Sequence, residues 1–296
     1  MLPERFRSVL HAIATDRKSG AIELALGVVD AFKVLEKERN LPARAELGAA
    51  VSFLAKAQPS MVPIHNTAAI CMRIVLGGGS AITSLDAVRE FLHDSRGEVA
   101  SNAVMLFPPH STAITISRSS TVLLALKLAA RSGRLGRLYV MESRPRLEGR
   151  NTAREIVAEG VECVLVADAV GPTLAGEFDL ALVGADAMLK DGAVINKAGT
   201  YALSNSCKAG HKPLIVLTES IKLDSRFTSK TWPGSEIRDE GELLPRPPRG
   251  LRALNRYFDL TPSANVRAVV HEHGVSRRGW VGAMEKVLQG LYKESA

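Results

Sequence analysis

Apolar residues in the first hundred positions repeat with the spacing of amphipathic helices. The clearest stripe recurs at three- and four-residue intervals and consists of Ile22, Ala25, Val29, Phe32 and Leu35. This stripe predicts a helix over residues 21–36. Similar patterns predict three more helices, over residues 43–57, 64–76 and 85–94. A polar stretch that ends near Ser101 follows them. We therefore predict a helical N-terminal domain over residues 1–101.

After residue 102, short β-rich runs alternate with helical stretches. The predicted strands cover residues 113–116, 138–141, 163–167, 180–183, 214–217 and 266–270. Helical stretches lie between the first five strands, the last of them over residues 197–209. This alternation is typical of a parallel sheet with right-handed crossovers. The sequence predicts an α/β fold, in which the helical N-terminal domain is followed by a Rossmann-like parallel sheet domain over residues 102–296.

A polar or acidic residue follows each of the first five predicted strands. These residues are Ser117, Glu142, Asp168, Asp186 and Thr218, the last followed by Glu219. Ligands of open parallel sheets bind outside the carboxyl ends of the strands, so five polar strand ends predict a polar pocket there. Asp186 is the best acid–base candidate, because partial burial after an apolar strand raises a carboxyl pKa. A purely structural role for Asp186 fits the sequence equally well.

Two predicted helix starts have the chemistry of a phosphate site. Ser119 and Ser120 open the helix after the first strand, where free N–H groups and the helix dipole attract anions. Asn196 and Lys197 are predicted to open a later helix, where lysine supplies positive charge. Ordinary helix capping and a solvated lysine remain the alternatives. No GxGxxG follows the first strand, so the fingerprint of dinucleotide binding is missing.

Composition and charge narrow the class of partner. The formal net charge of +7 favours anionic partners. Aromatic residues make up only 5% of the chain and do not alternate with the basic stretches, which argues against nucleic acid. No apolar run is long enough for a membrane span, and the first residues do not read as a signal peptide. The three cysteines form no metal or disulfide pattern, so we predict a cytoplasmic protein without metal or cofactor.

Five segments together resemble one known family. They are SGAIELALGVVDA (Ser19–Ala31), ITISRSSTVLL (Ile114–Leu124), MESRPRLEG (Met141–Gly149), VGADAMLKDGAVINKAGT (Val183–Thr200) and YFDLTPSANVRAVVHEHG (Tyr257–Gly274). The family joins the regulatory α, β and δ subunits of translation initiation factor 2B to methylthioribose-1-phosphate isomerase and ribose-1,5-bisphosphate isomerase. The GAD…NK.GT segment is the most specific of these matches.

The resemblance implies a helical domain plus a Rossmann-like domain, usually dimeric, and it implies roles for several residues. Asp186 matches the acid–base aspartate of the isomerases, and Asn196–Lys197 matches the pair that helps hold the sugar phosphate. Ser119 and Ser120 match the phosphate-facing turn. Gly20 and Ala21 match the first-helix motif of the family.

Three positions depart from the isomerase pattern. Ser117 stands where the isomerases carry a catalytic cysteine, and an alcohol is not a base without a partner. Gln58 stands in the segment where they carry a phosphate-binding arginine. Glu148 stands where methylthioribose-1-phosphate isomerases have glutamine. Arg118, which adjoins the predicted pocket, is a candidate replacement for the lost cation.

The sequence therefore supports two main hypotheses. In the first, the chain is a regulatory or divergent family member that binds a phosphorylated sugar or nucleotide without isomerising it. In the second, it is an aldose–ketose isomerase of a phosphorylated pentose, in which Asp186 moves the proton and a water held by Ser117 or Glu142 replaces the thiolate. A third, a translation partner acting through protein contact alone, would not need the phosphate pocket. In either main case we expect a phosphorylated small molecule as ligand and a homodimer or higher oligomer.

Overall fold

The computed structural model describes residues 2–16, 19–36, 41–77 and 81–293. The chain forms two compact units, one made of residues 1–95, 220–223 and 282–296 and the other of residues 96–219 and 224–281. These units are defined by packing and not by independent folding, so the domain boundary predicted after residue 101 stays a prediction.

Helices build the first unit. They are α1 (Glu4–Thr15), α2 (Ala21–Glu36), α3 (Arg44–Ala57), α4 (Val62–Gly77) and α5 (Ala81–Val104), the last of which contributes residues to both units. The helices predicted from residues 21, 43 and 64 are confirmed. The fourth prediction was too short, because the polar stretch around Ser101 continues the helix instead of ending it. The helix α1 was not predicted, although Phe6, Leu10 and Ile13 form a short apolar stripe with helical spacing.

The core of the first unit is formed by the apolar stripes of these helices. Phe6 and Phe32 are fully buried and meet edge to face, with ring centroids 5.2 Å apart. A further helix that the sequence pattern did not predict, α9 (Trp280–Lys293), adds Leu288 and Leu291 to this core. Burial of each large apolar side chain contributes about 1.5–3 kcal/mol, so packing of the stripes accounts for the helical architecture.

The second unit contains two sheets. The strands, in chain order, are β1 (Ser111–Ile116), β2 (Leu135–Met141), β3 (Glu162–Val166), β4 (Leu180–Val183), β5 (Ala187–Leu189), β6 (Val194–Lys197), β7 (Leu214–Leu217), β8 (Leu223–Asp224), β9 (Phe258–Thr261), β10 (Ala268–His271) and β11 (Gly274–Ser276). The main sheet has the order β3-β2-β1-β4-β7-β10-β11, and only β11 is antiparallel to its neighbour. The helices α6 (Ser120–Arg131), α7 (Gly149–Val157) and α8 (Thr200–Ala209) follow β1, β2 and β6. The predicted α/β fold with a parallel sheet is confirmed.

The second sheet is small and was not predicted. It has the order β8-β5-β6-β9, and β6 is antiparallel to both β5 and β9. Asn196 and Lys197 lie in β6, paired with Asp259 and Phe258, so they do not open a helix as the sequence suggested. The helix begins at Thr200 instead. Most strands of this sheet are short and, unlike the four-residue apolar strands β4 and β7, mix apolar and polar residues, so no pattern identified them in the sequence.

The strand order fixes where a ligand site belongs. From β1, the chain proceeds through β2 to β3 on one side of the sheet, whereas β4, β7 and β10 lie on the other side. The order therefore reverses between β1 and β4. In doubly wound sheets the crevice outside the carboxyl ends of the strands at such a switch point is the usual ligand site.

Candidate functional site

The ends of β1 and β4 touch at the switch point because Gly184 has no side chain. A Cβ built on Gly184 would lie 2.8 Å from both Cβ and Oγ of Ser119, and 3.9 Å from Oδ1 of Asn196. Contacts below 3.0 Å do not occur for real Cβ atoms, so only glycine permits this approach. Ser119, Gly184 and Asn196 thus meet at one point on the carboxyl edge of the sheet.

Ser117 follows β1 in a constrained backbone conformation. Its φ is +72°, in the left-handed region that non-glycine residues rarely adopt. Two hydrogen bonds hold it there: its N–H donates to Ser143 Oγ at 2.7 Å, and its carbonyl accepts from Thr152 Oγ1 at 3.1 Å. Across the described ranges of the chain, Ser117 Oγ makes no hydrogen bond. No base is therefore hydrogen-bonded to this hydroxyl among those residues.

Asp186 and Asn196 lie on the two arms of one hairpin. The Asp186 N–H donates to the Ile195 carbonyl at 2.9 Å, and β5 and β6 continue the pairing from there. Asn196 is buried and donates from Nδ2 to Thr200 Oγ1 at 3.0 Å, which fixes the rotamer of its amide. The hairpin follows directly on β4, so Asp186 leaves the same sheet edge as Ser117 does from the neighbouring strand β1.

Lys197 is a buried cation, and an acidic residue already neutralises it. Its Nζ lies 2.8 Å from Glu148 Oε1, and its side chain is only 5% exposed. The Tyr257 ring packs against the same ammonium, 4.7 Å from Nζ to the ring centroid. Lys197 therefore lies between a carboxylate and an aromatic face.

A carboxylate of the chain itself occupies the N-terminus of α8. Asp259 accepts hydrogen bonds from the N–H groups of Gly199, at 2.7 Å, and Tyr201, at 3.1 Å. Burial raises the pKa of Asp259 to about 6, although these two hydrogen bonds act in the opposite direction. The sequence analysis missed this residue. The only signal was an aspartate in the FDLTP segment, about sixty positions from its partners.

Ser119 and Ser120 open α6 as predicted. Ser119 Oγ accepts weakly from the Val122 N–H at 3.4 Å, which is ordinary N-capping, while Ser120 is exposed. Arg118 does not turn toward the switch point: its guanidinium donates to Glu155 Oε1 at 2.8 and 3.1 Å, and Lys127 pairs with the other oxygen at 2.9 Å. These two cations lower the pKa of Glu155.

Three of the five polar strand ends bind other parts of the protein. Glu142 pairs with Arg150 at 3.2 Å, and Glu219 accepts from Thr121 Oγ1. Asp168 accepts from the N–H groups of Ser143 and Arg144, both at 2.7 Å. These acids support the loops around the sheet edge, so the switch point between β1 and β4 is the best candidate for the site itself.

Two positions of interest belong to the helical unit. Gly20 and Ala21 start α2, where the Gly20 carbonyl accepts from the Leu24 N–H at 3.0 Å. Gln58 is buried, and its Nε2 donates to the carbonyls of Ile13, at 3.1 Å, and Asp16, at 2.7 Å. The residue that stands in place of a phosphate-binding arginine therefore satisfies free carbonyls at the end of α1.

The described residues lack two kinds of feature, a cluster of metal ligands and a membrane-spanning helix. They contain no group of three or more histidine, cysteine, aspartate or glutamate side chains placed to hold a metal ion. No helix in this part of the chain is both long and apolar enough to cross a bilayer.

A helical N-terminal region followed by a mostly parallel sheet places the chain in the α/β class of folds. The sequence model of the initiation factor 2 subunit family matches residues 16–277, and the chain belongs to this family. A translation initiation factor eIF-2B subunit 2-like protein of Pyrococcus furiosus is 32% identical over 281 residues, which is 93% of this chain and 97% of the relative. The ribose 1,5-bisphosphate isomerase of Haloterrigena turkmenica is 29% identical, and the match covers 88% of this chain and 87% of the relative. A methylthioribose-1-phosphate isomerase of a Thermoanaerobacter species is 28% identical, and the match covers 92% of this chain and 74% of the relative.

Solved structures support the same fold. The translation initiation factor eIF-2B of Pyrococcus horikoshii superposes with a TM-score of 0.74 at 30% identity, over 94% of this chain and 99% of that one. The tetrameric eIF2B-β2-δ2 complex of C. thermophilum contains a chain with a TM-score of 0.75 at 16% identity, over 96% and 94% of the two chains. The second likeness concerns the fold alone. The resemblance read from the sequence motifs is confirmed.

Proposed function

We propose that this chain binds a phosphorylated sugar or nucleotide at the switch point between β1 and β4 and does not isomerise it. One observation carries this proposal: Ser117, which replaces the catalytic thiol, has no base hydrogen-bonded to its hydroxyl in the described residues. An alcohol needs such a base to act as nucleophile or proton acceptor near neutral pH. The protein would thus have a regulatory or divergent role, as the sequence motifs suggest.

The surroundings of Ser117 support ligand binding. Ser119, Gly184 and Asn196 meet at the switch point, so a hydroxyl and an amide converge beside the ends of β1 and β4. The first turn of α6 adds N–H groups and the positive end of a helix dipole, which suit a phosphate. Two relatives are named as isomerases of phosphorylated sugars, which supports this ligand class.

A ³¹P NMR assay with ribose 1,5-bisphosphate and methylthioribose 1-phosphate tests the proposal. We expect the ligand resonances to broaden when protein is added, with no conversion to a ketose phosphate. Asp186→Asn should leave that lack of turnover unchanged. Conversion by the native chain that Asp186→Asn abolishes would show an isomerase.

The isomerase hypothesis remains the second candidate because Asp186 is placed to support it. The carboxylate follows β4 on a hairpin that also carries Asn196 and Lys197, so the residues matched to the isomerases form one continuous structural element. In this case Asp186 would transfer the proton, and a water held by Ser117 or Glu142 would replace the thiolate. The same assay separates the two candidates.

We also propose that the protein works as a cytoplasmic homodimer or higher oligomer. The tetrameric complex formed by a structural neighbour supports assembly of this fold. Light scattering during size-exclusion chromatography should give at least twice the chain mass of 31.8 kDa. A monomeric mass at micromolar concentration would refute the oligomer.

A further inference from the structure

The connection between β2 and α7 holds Glu148 in a fixed position. A Cβ built on the next residue, Gly149, would lie 2.0 Å from the Met141 carbonyl oxygen, so only glycine allows the chain to fold back against the end of β2. The Glu148 carbonyl accepts from the N–H groups of Asn151 and Thr152, which joins it to the first turn of α7. The backbone of Glu148 is thus held by the strand on one side and the helix on the other.

The two oxygens of the Glu148 carboxylate have different surroundings. Oε1 pairs with Lys197 Nζ at 2.8 Å, whereas Oε2 is buried and has no hydrogen-bond partner among the described residues. A buried carboxylate oxygen without a donor is destabilising, because it has lost the hydrogen bonds that water would give it. A ligand that donates a hydrogen bond to Oε2 would recover this energy, and a ligand with no donor would not.

The same pair makes this position unsuitable for a phosphate. The positive charge of Lys197 is already matched by Glu148, and the Tyr257 ring covers part of the ammonium. An incoming phosphate would meet a carboxylate in a poorly hydrated place, and like charges in such a place cost several kcal/mol. The pair therefore accepts a neutral donor such as a hydroxyl group and opposes a second anion.

We infer that Glu148 is a specificity-determining residue that selects a sugar carrying a single phosphate and a free hydroxyl over a bisphosphorylated sugar. The inference rests on the proposed ligand site, since Lys197 belongs to the same hairpin as Asn196. One phosphate binds at the start of α6. The ligand's hydroxyl donates to Glu148 Oε2 beside Lys197.

Calorimetric titration with ribose 5-phosphate and ribose 1,5-bisphosphate tests this. We expect the native chain to bind the monophosphate at least about tenfold more tightly. Glu148→Gln keeps an acceptor for Lys197 but removes the negative charge, so this preference should disappear or reverse. Glu159→Gln is the matched control, because it neutralises a carboxylate just beyond the other end of α7 that also pairs with a cation, Arg131 at 2.8 Å. The control should keep the preference of the native chain.

The outcomes separate this inference from the proposed function. If both ligands bind the native chain equally, or if Glu148→Gln leaves the ratio of affinities unchanged, the role of Glu148 is refuted while the ligand site stands. If neither ligand binds the native chain or the variant, the site and the inference both fail. The ratio measured on the native chain is decisive even if the variant does not fold.

Discussion

The Asp259→Asn variant should gain stability relative to the native chain as the pH rises from acidic to neutral. Burial raises the pKa of this carboxyl from 3.8 to about 6, which means that folding disfavours its ionised form. At pH well below 3.8 the group is protonated in both states, and the penalty is absent. The penalty grows as the pH rises from 3.8 to about 6 and is complete above that. Asparagine has no charge to desolvate and keeps an acceptor for the Gly199 N–H.

The linkage relation gives the size of the effect. With these two pKa values, ionised Asp259 destabilises the native state by about 1 kcal/mol at a pH of about 4.5 and by about 3 kcal/mol at a pH of about 7.5. The unfolding free energy of Asp259→Asn relative to the native chain should therefore rise by about 2 kcal/mol between these conditions. Urea denaturation at both pH values measures this difference and cancels the contributions of all other groups.

A matched control is Asp179→Asn. Asp179 also accepts a hydrogen bond from a backbone N–H, that of Thr112 at 2.8 Å, but it is exposed, so its replacement relieves no burial penalty. The reasoning would be refuted if the difference in unfolding free energy between Asp259→Asn and the native chain did not change with pH, or if it fell as the pH rose. It would mean that the hydrogen bonds from α8 outweigh the burial of the carboxylate.

Four further substitutions test the structure through urea denaturation. Gly149→Ala should lower the free energy of unfolding by more than about 3 kcal/mol, because the new Cβ would collide with the backbone of β2. Gly97→Ala is the control: its Cβ would lie in open space within α5, so it should raise the free energy of unfolding by up to about 1 kcal/mol. Equal effects of the two substitutions would contradict the close packing of Gly149 against β2. Gln58→Ala should destabilise by about 1–3 kcal/mol because carbonyls at the end of α1 lose their donor, and a neutral result would mean that water replaces the amide. Ser143→Ala should have a similar effect, since the Ser117 N–H loses its acceptor, and native-like stability would refute that role.

The main sheet could be predicted because its strands are short, almost wholly apolar runs. Leu180–Val183 and Leu214–Leu217 are apolar and buried at every position. Such runs are typical of parallel strands covered on both faces. The positions of the strand ends followed directly, and with them the edge on which Ser117 and Asp186 lie.

The partners of the charged side chains could not be predicted in the same way. Arg118 meets Glu155 across 37 positions, and Lys197 meets Glu148 across 49. These distances along the chain are closed by the sheet and the α6–α7 packing, which no local pattern encodes. For this reason the sequence analysis treated Arg118 as a cation available to a ligand and did not identify Asp259 as a residue of interest.

The small β5–β6 hairpin has a consequence for engineering. One arm carries Asp186 and the other carries Asn196 and Lys197, and the pairing of the two arms fixes the spacing of all three. The turn that joins the arms, near Gly192, lies away from these residues along the strands. Residues 184–197 can therefore be exchanged as one contiguous segment with an isomerase relative. Such a chimera would receive the relative's counterparts of Asp186, Asn196 and Lys197 in their own geometry. It would keep Ser117, after the neighbouring strand β1, so its activity would report on the exchange of cysteine for serine at that position.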